Sequence, residues 1–213
     1  MSFLKANLQR LPIQWRLLMN RLGAEPAVAG RCFDAIHRAY SERGRHYHTL
    51  EHIGGMLRTV HRLRASTRDL PAVELAVWFH DVVYLPRRTD NEELSARFAA
   101  RWLAKLRLRA SLIDKVRHLI LATRTHRAAS ADAKVLIDAD LAILAASQRR
   151  YSAYAQAIRQ EYAWVKEADY RAGRARVLQH FLNRKRLFYT SLMERVETRA
   201  RRNLRRELAL LHA

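Results

Sequence analysis

The stretch LAVWFHDVVY, residues 75 to 84, joins a run of five apolar residues to a histidine and an aspartate. The run is apolar on every side at helical spacing, which is typical of a helix buried in a protein core. His80 and Asp81 follow directly, where an imidazole or a carboxylate is costly to bury unless a cation or a hydrogen-bond partner compensates it. The stretch predicts a buried helix that ends either in two metal ligands or in a hydrogen-bonded pair.

The rest of the 213-residue chain has the composition of a helical protein. It contains only six glycines and four prolines, too few for the turns of a β-sandwich or barrel, and its apolar residues recur at helical spacing. A chain of this length builds one well-buried core. We expect a single all-α domain, residues 1–213. It should have about nine or ten helices: roughly 2–22, 26–43, from Thr49, from Asp69, from Thr89, from Ser111, 131–146, 148–166, and two after the segment ADYRAGRAR, the last at about 192–211.

The formal net charge of the chain is +20, and 34 of its 40 basic residues are arginine. Such a charge favours phosphate-bearing partners: nucleotides, nucleic acid or an anionic membrane face. A genome rich in arginine codons explains the same number. Nucleic acid is not favoured as the main partner, because the basic residues are dispersed and no aromatic stacking platform accompanies them.

The lone cysteine, Cys32, cannot form an internal disulfide. The first residues lack the apolar run of a signal peptide, and no window reaches the roughly 18 apolar residues of a membrane span. These features predict a cytoplasmic protein that does not enter the membrane, and they leave its oligomeric state open.

Further candidate ligands lie far from the His-Asp pair in the chain. The segment IDADLAIL, residues 137 to 144, offers Asp138 and Asp140, and the helical spacing of Asp140 from its aliphatic neighbours places it on the inward face. The segment RHYHTLEHI, residues 45 to 53, offers three imidazoles: His46, His48 and His52. Two more ligands from these segments would complete a stable site.

The order of histidine, His-Asp pair and later aspartate resembles the HD-domain superfamily of metal-dependent phosphohydrolases. RHYHTL at residues 45–50 resembles the R-x-x-H-[ST]-L opening common in HD nucleotidases. LAVWFHDVVY matches the apolar helix that leads into the defining pair, and DADL at 138–141 is similar to the closing segment. Carried over residue by residue, the resemblance implies four metal ligands: His48, His80, Asp81 and Asp140.

Nearly the full chain is similar to a small bacterial subfamily described as predicted HD phosphohydrolases. The matching segments are YHTLEHI, WFHDVVY, DNEELSA, TRTH, DADLAIL, IRQEYAWV and GRARVLQHFLNRKRLFYT. The resemblance implies a single HD-type helical bundle. Within it we expect His52 to support the site or to pack, and His46 to do neither.

Two imidazoles and two carboxylates form a mixed nitrogen and oxygen site that suits Mn²⁺, Fe²⁺, Co²⁺, Ni²⁺ or Zn²⁺. One ion is preferred over two, because only His118 and His126 lie between the His-Asp pair and the last aspartate. An ion of this kind lowers the pKa of water in its coordination shell and neutralises phosphoryl charge, which suits hydrolysis of a phosphate ester.

Three further residues are candidates for catalysis or phosphate binding. Arg45 is expected to hold the substrate phosphate by bidentate hydrogen bonds, with an ion pair to Glu42 or Glu51 as the alternative. Glu92 and Glu93 are candidates for the general acid, although a capping box with Thr89 also explains Glu92. Arg45 is a candidate both for phosphate binding and for catalysis. Asp81, as a metal ligand, is also a candidate catalytic residue.

Other residues are candidates for the wall of a substrate pocket. His126 and Arg124 are candidates for binding the substrate phosphate, and a surface helix end explains them equally well. Tyr84 is a candidate substrate contact. Weaker candidates for the wall, with buried ion pairs and core hydroxyls as the alternative, are Arg159, Glu161, Tyr162 and Arg174.

The function predicted from these features is hydrolysis of a phosphate ester of a nucleotide or another small phosphorylated metabolite. The alternative is a metal-stabilised helical module without catalysis that binds RNA or an acidic partner through its basic surface. A glycine-rich phosphate loop, a cysteine pair for zinc and a G-x-S-x-G elbow do not occur in the sequence.

Overall fold

The computed structural model describes residues 9–212, and these contain eleven α-helices, two short 3₁₀ helices and no β-strand. The all-α prediction is confirmed. The α-helices are α1 (Leu11–Arg21), α2 (Pro26–Tyr40), α3 (Leu50–Arg62), α4 (Leu70–Phe79), α5 (Asn91–Lys105), α6 (Ala110–Thr123), α7 (Ala131–Asp140), α8 (Gln148–Glu161), α9 (Glu167–Leu182), α10 (Ser191–Glu194) and α11 (Glu197–His212). The 3₁₀ helices are Arg64–Ser66 and Leu141–Ala145.

Helix α4 is the centre of the core. It packs against α3, α5, α6 and α7, and every residue from Leu75 to Phe79 is at most 1% exposed. The ring of Trp78 meets Trp15 of α1 and Phe33 of α2 edge to face, at centroid distances of 5.5 and 6.0 Å. Burial of this run on all sides is what its apolar composition predicted, and it brings His80 into the interior.

Short polar side chains begin the helices that carry the site. Thr49 accepts a hydrogen bond from the backbone N–H of Glu51 at the start of α3, and Asp69 accepts one from Ala72 at the start of α4. Ser130 does the same for α7. These caps satisfy backbone donors that the first helical turn leaves free, so they set where each helix starts.

The predicted capping box of Thr89 and Glu92 does not form. Helix α5 begins at Asn91, and the preceding Asp90 binds Arg88 through its carboxylate instead of a backbone N–H. Capping therefore does not account for Glu92.

Several other boundaries differ from the prediction: the helices expected at 26–43, 131–146 and 148–166 end at Tyr40, Asp140 and Glu161. ADYRAGRAR lies inside α9 and is not a junction, because the lone Gly173 does not end the helix. The predicted last helix is divided into α10 and α11, which raises the number of helices to eleven. The part of the predicted first helix at residues 2–8 lies outside the described residues.

The second half of the chain forms a group of helices around the 3₁₀ helix Leu141–Ala145. Helices α8 and α11 pack on this turn, and α9 packs on α11. No helix within residues 9–212 combines the length and the apolar character needed to cross a membrane.

Asp138 ties the two halves together. Its side chain is fully buried in α7, and its carboxylate accepts hydrogen bonds from the backbone N–H of Tyr189 at 2.8 Å and of Thr190 at 2.7 Å. The Thr190 hydroxyl donates a third bond at 2.6 Å. Asp138 is thus a structural residue, and Asp140 is the aspartate of this segment that is available to the site.

We expect Asp138→Ala to lower the free energy of unfolding by about 2–4 kcal/mol, because it leaves buried donors without an acceptor. Chemical denaturation of both proteins measures the difference. Asp34→Ala on the exposed face of α2 is the matched control and should change stability by less than about 0.5 kcal/mol. Equal stability of Asp138→Ala and wild type would contradict the assigned role.

Candidate metal centre

Histidines and aspartates from four parts of the fold meet at the buried end of α4. His80 and Asp81 follow α4 directly, and Asp140 is the last residue of α7. Helix α3 contributes His52 from its first turn, and the loop before α3 contributes His48. The core packing of α3, α4 and α7 therefore creates the cluster.

The donor atoms of the cluster lie close enough to share one ion. The Nε2 atoms of His52 and His80 are 3.3 Å apart, and an Asp81 carboxylate oxygen lies 2.9 Å from His80 Nε2. The donor atoms of these three residues all lie within 4.8 Å of one another. An Asp140 oxygen is 3.3 Å from His52 Nε2, and His48 Nε2 is 3.8 Å from Asp81 Oδ2.

Two of the imidazoles are oriented by a hydrogen bond on the nitrogen that faces away from the cluster. His80 Nδ1 donates to the carbonyl oxygen of Val77 at 3.0 Å, and His48 Nδ1 donates to Glu161 Oε2 at 2.7 Å. With Nδ1 bound on the far side, Nε2 of each ring is the atom that faces the carboxylates. Metal-binding histidines are held in this way, so the donor set fits a divalent cation.

The charges of the cluster stabilise one another. Burial by itself lowers the pKa of His80, but the nearby Asp81 and Asp140 carboxylates outweigh it and raise that pKa to about 9. Burial opposes ionisation of Asp81 and Asp140, yet the adjoining imidazoles hold the pKa of both carboxyl groups well below the ordinary value. Burial lowers the pKa of His52. The two carboxylates thus remain anionic in the interior, where a cation would compensate them.

His52 is closer to the centre than the sequence indicated. We expected it to support the site or pack, but its Nε2 atom lies within 3.3 Å of both His80 and Asp140. Its position one helical turn after His48 is the only sequence signal for this role. The side chain of His46 is exposed.

Arg45 does not have the role predicted for it. The guanidinium is buried and donates to the backbone carbonyls of Asp81 at 2.7 Å, Val82 at 2.9 Å and His48 at 3.3 Å. Its Nε atom lies 3.7 Å from the Glu42 carboxylate. Nη1 and Nη2 bind these carbonyls, and Nε has no hydrogen-bond partner among the described residues. Since the side chain is only 3% exposed, Arg45 holds the candidate ligand segments together and is not available to a substrate phosphate.

Glu161 was named only as a weak candidate for the cavity wall, yet it organises the loop that carries His48. Its Oε1 atom accepts hydrogen bonds from three consecutive backbone N–H groups, those of His46, Tyr47 and His48, at 2.8 to 2.9 Å. Burial raises the pKa of a carboxyl group, but the bonds from His48 and this backbone reverse the effect and lower the pKa of Glu161 to about 2. The side chain is therefore an anion next to the site.

His126 stands at the other side of Asp140. Its Nε2 atom is 3.1 Å from Asp140 Oδ2, and its backbone has a φ of 49°, which is uncommon for a residue with a side chain. Arg184 and Tyr189 both donate to its carbonyl oxygen, at 2.5 and 3.0 Å. These bonds keep the ring of His126 beside the cluster.

A cavity of about 850 Å³ opens onto the cluster. It is lined by the predicted contacts Tyr84, Arg124 and His126, and by Glu92. Tyr84 stacks on the ring of His48 at a centroid distance of 3.9 Å. The structure thus brings these four candidates to one cavity.

The two candidate acids differ in their surroundings. Glu92 is half-buried at the cavity, and burial raises its pKa, with a further contribution from the negative charge of Asp81. Glu93 instead forms an ion pair with Arg124. Of the two, Glu92 has the properties of a proton donor.

Comparisons of the chain with protein-family models, with curated proteins and with solved structures find no match. The HD resemblance therefore remains one of sequence motifs.

We expect Glu161→Gln to weaken metal binding about 10- to 100-fold while the protein stays folded. The amide oxygen still accepts the three backbone bonds, but the amide NH₂ then faces His48 Nδ1, which is itself a donor. Competition with a chelating dye measures the affinity. Glu167→Gln, whose exposed carboxylate pairs with Arg159, is the control and should bind as wild type does. Unchanged affinity in Glu161→Gln would refute the orienting role.

Proposed function

We propose that the chain is a metal-dependent phosphohydrolase that cleaves the phosphate ester of a nucleotide or another small phosphorylated metabolite. The observation that carries this proposal is the buried cluster of imidazoles and carboxylates, with two rings oriented by bonds on Nδ1, at the end of an open cavity. If His80 and Asp81 were only a hydrogen-bonded pair of the core, no cavity beside them would be needed.

The residues that would hold one divalent transition ion, Mn²⁺, Fe²⁺, Co²⁺, Ni²⁺ or Zn²⁺, are His48, His80, Asp81 and Asp140, with His52 as an additional ligand. Such an ion would supply an acidified water as the nucleophile and positive charge for the phosphoryl oxygens. Arg45 and Glu161 maintain the positions of these ligands through their bonds to the backbone.

Residues on the cavity side would bind the phosphate and deliver the proton. The imidazole of His126 and the guanidinium of Arg124 face the same cavity, and each would donate to a phosphoryl oxygen while it keeps its carboxylate partner, Asp140 or Glu93. Glu92, half-buried and with a raised pKa, is suited to protonate the leaving oxygen. The aromatic ring of Tyr84 keeps His48 in place and borders the substrate.

The alternative, a module that binds RNA or an acidic partner without catalysis, has less support. At least part of the positive charge is used inside the protein, since Arg45, Arg159, Arg199 and Arg201 donate to backbone carbonyls. A cavity at the cluster is also unnecessary for a purely structural metal.

We expect Asp81→Ala to lose the metal and the phosphatase activity together, because it removes a carboxylate whose oxygen lies 2.9 Å from His80 Nε2. Metal analysis and a screen of nucleotides and p-nitrophenyl phosphate, after loading with Mn²⁺, Co²⁺ or Ni²⁺, measure both. Asp114→Ala, which removes only an exposed ion pair with Arg117, is the control. A metal-free, inactive wild type would sink the proposal, and tight, salt-dependent RNA binding without turnover would favour the alternative.

We expect Glu92→Gln to lower kcat about 10²-fold or more without loss of bound metal. Because burial and Asp81 raise the pKa of Glu92, its carboxyl keeps the proton to higher pH than an exposed glutamate, and wild-type kcat should fall as pH rises through that pKa. Neighbouring Glu93 acts in the same direction and Arg124 against it. The variant should lack this alkaline decline. A Glu92→Gln profile that matches wild type would show that another group donates the proton.

A further inference from the structure

The cavity beside the cluster has walls that are mainly apolar. Leu141 and Leu144 of the 3₁₀ helix and Ile158 of α8 line it and are nearly fully buried, and Val177 and Phe181 of α9 form the facing side. A volume of about 850 Å³ is in the range of sites that enclose most of a small organic ligand. The part of a substrate that lies against these side chains therefore exchanges contact with water for contact with apolar surface.

Aromatic rings extend this surface up to the cluster itself. Tyr47 lies 4.8 Å from the ring of His52, and Phe181 lies edge to face against His126 at 5.7 Å. Tyr154 follows Tyr47 at 4.6 Å. A group attached to a phosphate at the cluster would meet these rings first.

Some polar side chains of the wall are already bound to the protein, while Thr89, Asp169 and Tyr170 also line the cavity. Asn91 exchanges hydrogen bonds with the backbone of Leu85, and the hydroxyl of Thr123 donates to Ile120. These groups are thus occupied and do not offer a hydrogen-bonding pattern for a base or a sugar.

The two arginines of the wall are paired as well. Arg174 is buried against Glu207, with N–O distances of 2.7 and 3.1 Å, and Arg124 is paired with Glu93. A second or third phosphate needs free cations, and in the described part of the chain this wall offers no cluster of them.

Gly173 leaves room along the same side of the cavity. Tyr170, Gly173, Val177 and Phe181 share one face of α9, and all of them line the cavity. A Cβ atom at position 173 would have no neighbour closer than the Arg176 guanidinium at 4.0 Å. A larger side chain there would occupy cavity space without displacing protein atoms.

We propose that this cavity holds the alcohol part of a phosphate monoester, that this part is an alkyl or aryl group, and that Gly173 provides the space for it. The proposal rests on the phosphohydrolase function above and specifies its substrate class. It favours esters of apolar alcohols over sugar phosphates and over nucleotides, and so narrows the proposed function to the small phosphorylated metabolites.

A series of n-alkyl monophosphates from methyl to octyl tests the proposal on the metal-loaded protein. Because burial of a methylene contributes about 0.8 kcal/mol, kcat/KM should rise by up to about fourfold for each one that enters the cavity. Glycerol phosphate and adenosine mono- and triphosphate are the polar comparisons, and hexyl phosphate should exceed each of them. A flat alkyl series, or a preference for the triphosphate, would overturn the proposal.

Gly173→Leu tests whether the alcohol part of the substrate occupies the space beside Gly173 on α9. Leucine favours helix over glycine, so the variant should fold, and the ratio of kcat/KM for hexyl to methyl phosphate should fall about tenfold or more. Gly30→Leu is the matched control, since Gly30 is an exposed glycine of α2 with open space around its Cβ position. An unchanged ratio in Gly173→Leu would place the alcohol elsewhere.

Binding of alkylphosphonates separates the two proposals. Calorimetry on the metal-loaded protein should show n-hexylphosphonate bound at least about tenfold more tightly than methylphosphonate, even if no ester is hydrolysed. Tighter binding of n-hexylphosphonate without hydrolysis of any ester would refute the phosphohydrolase function but support the apolar ligand class. Turnover with equal phosphonate affinities would refute the ligand class alone.

Discussion

The buried end of α4 imposes the constraint on which the site depends. A helix covered on every side ends in carbonyl groups that water does not reach, and each would be costly if left unpaired. The imidazole of His80 binds the Val77 carbonyl within the last turn, and Arg45 binds the carbonyls of Asp81 and Val82 in the turn that follows, as well as that of His48. The same bonds connect the backbone of the loop before α3 to the end of α4, so two candidate ligand segments are joined by backbone contacts before any metal binds.

Glu161 also binds the backbone of the loop before α3, as an acceptor where Arg45 is a donor. It accepts from three successive backbone donors and from the His48 ring, across more than 110 residues of sequence. A buried anion and a buried cation thus hold one segment from opposite sides, and each of them is paired through hydrogen bonds. This arrangement gives His48 one ring orientation, with Nε2 directed toward Asp81.

The high arginine content has a structural role beyond the site. Arg159 and Arg171 bind backbone carbonyls near the ends of α8 and α11. Arg201 binds the carbonyl of Leu182, the last residue of α9, and that of Arg184 just beyond it. Helices often end at a glycine, but this chain has only six. Arginine side chains satisfy the last carbonyls instead. The net charge of +20 is therefore a weaker guide to partners than it is in a protein whose arginines are all free.

The sequence by itself determined the helical class, the central position of the apolar run and the starts of α3 and α4, because these follow from local spacing and capping. It also indicated His48, His80, Asp81 and Asp140. Only the tertiary structure decided that His52 joins them, that Arg45 binds carbonyls instead of substrate, and that Glu161 orients His48. These roles depend on contacts between distant segments, and a sequence motif does not reveal which hydrogen-bonding groups remain free once those segments pack.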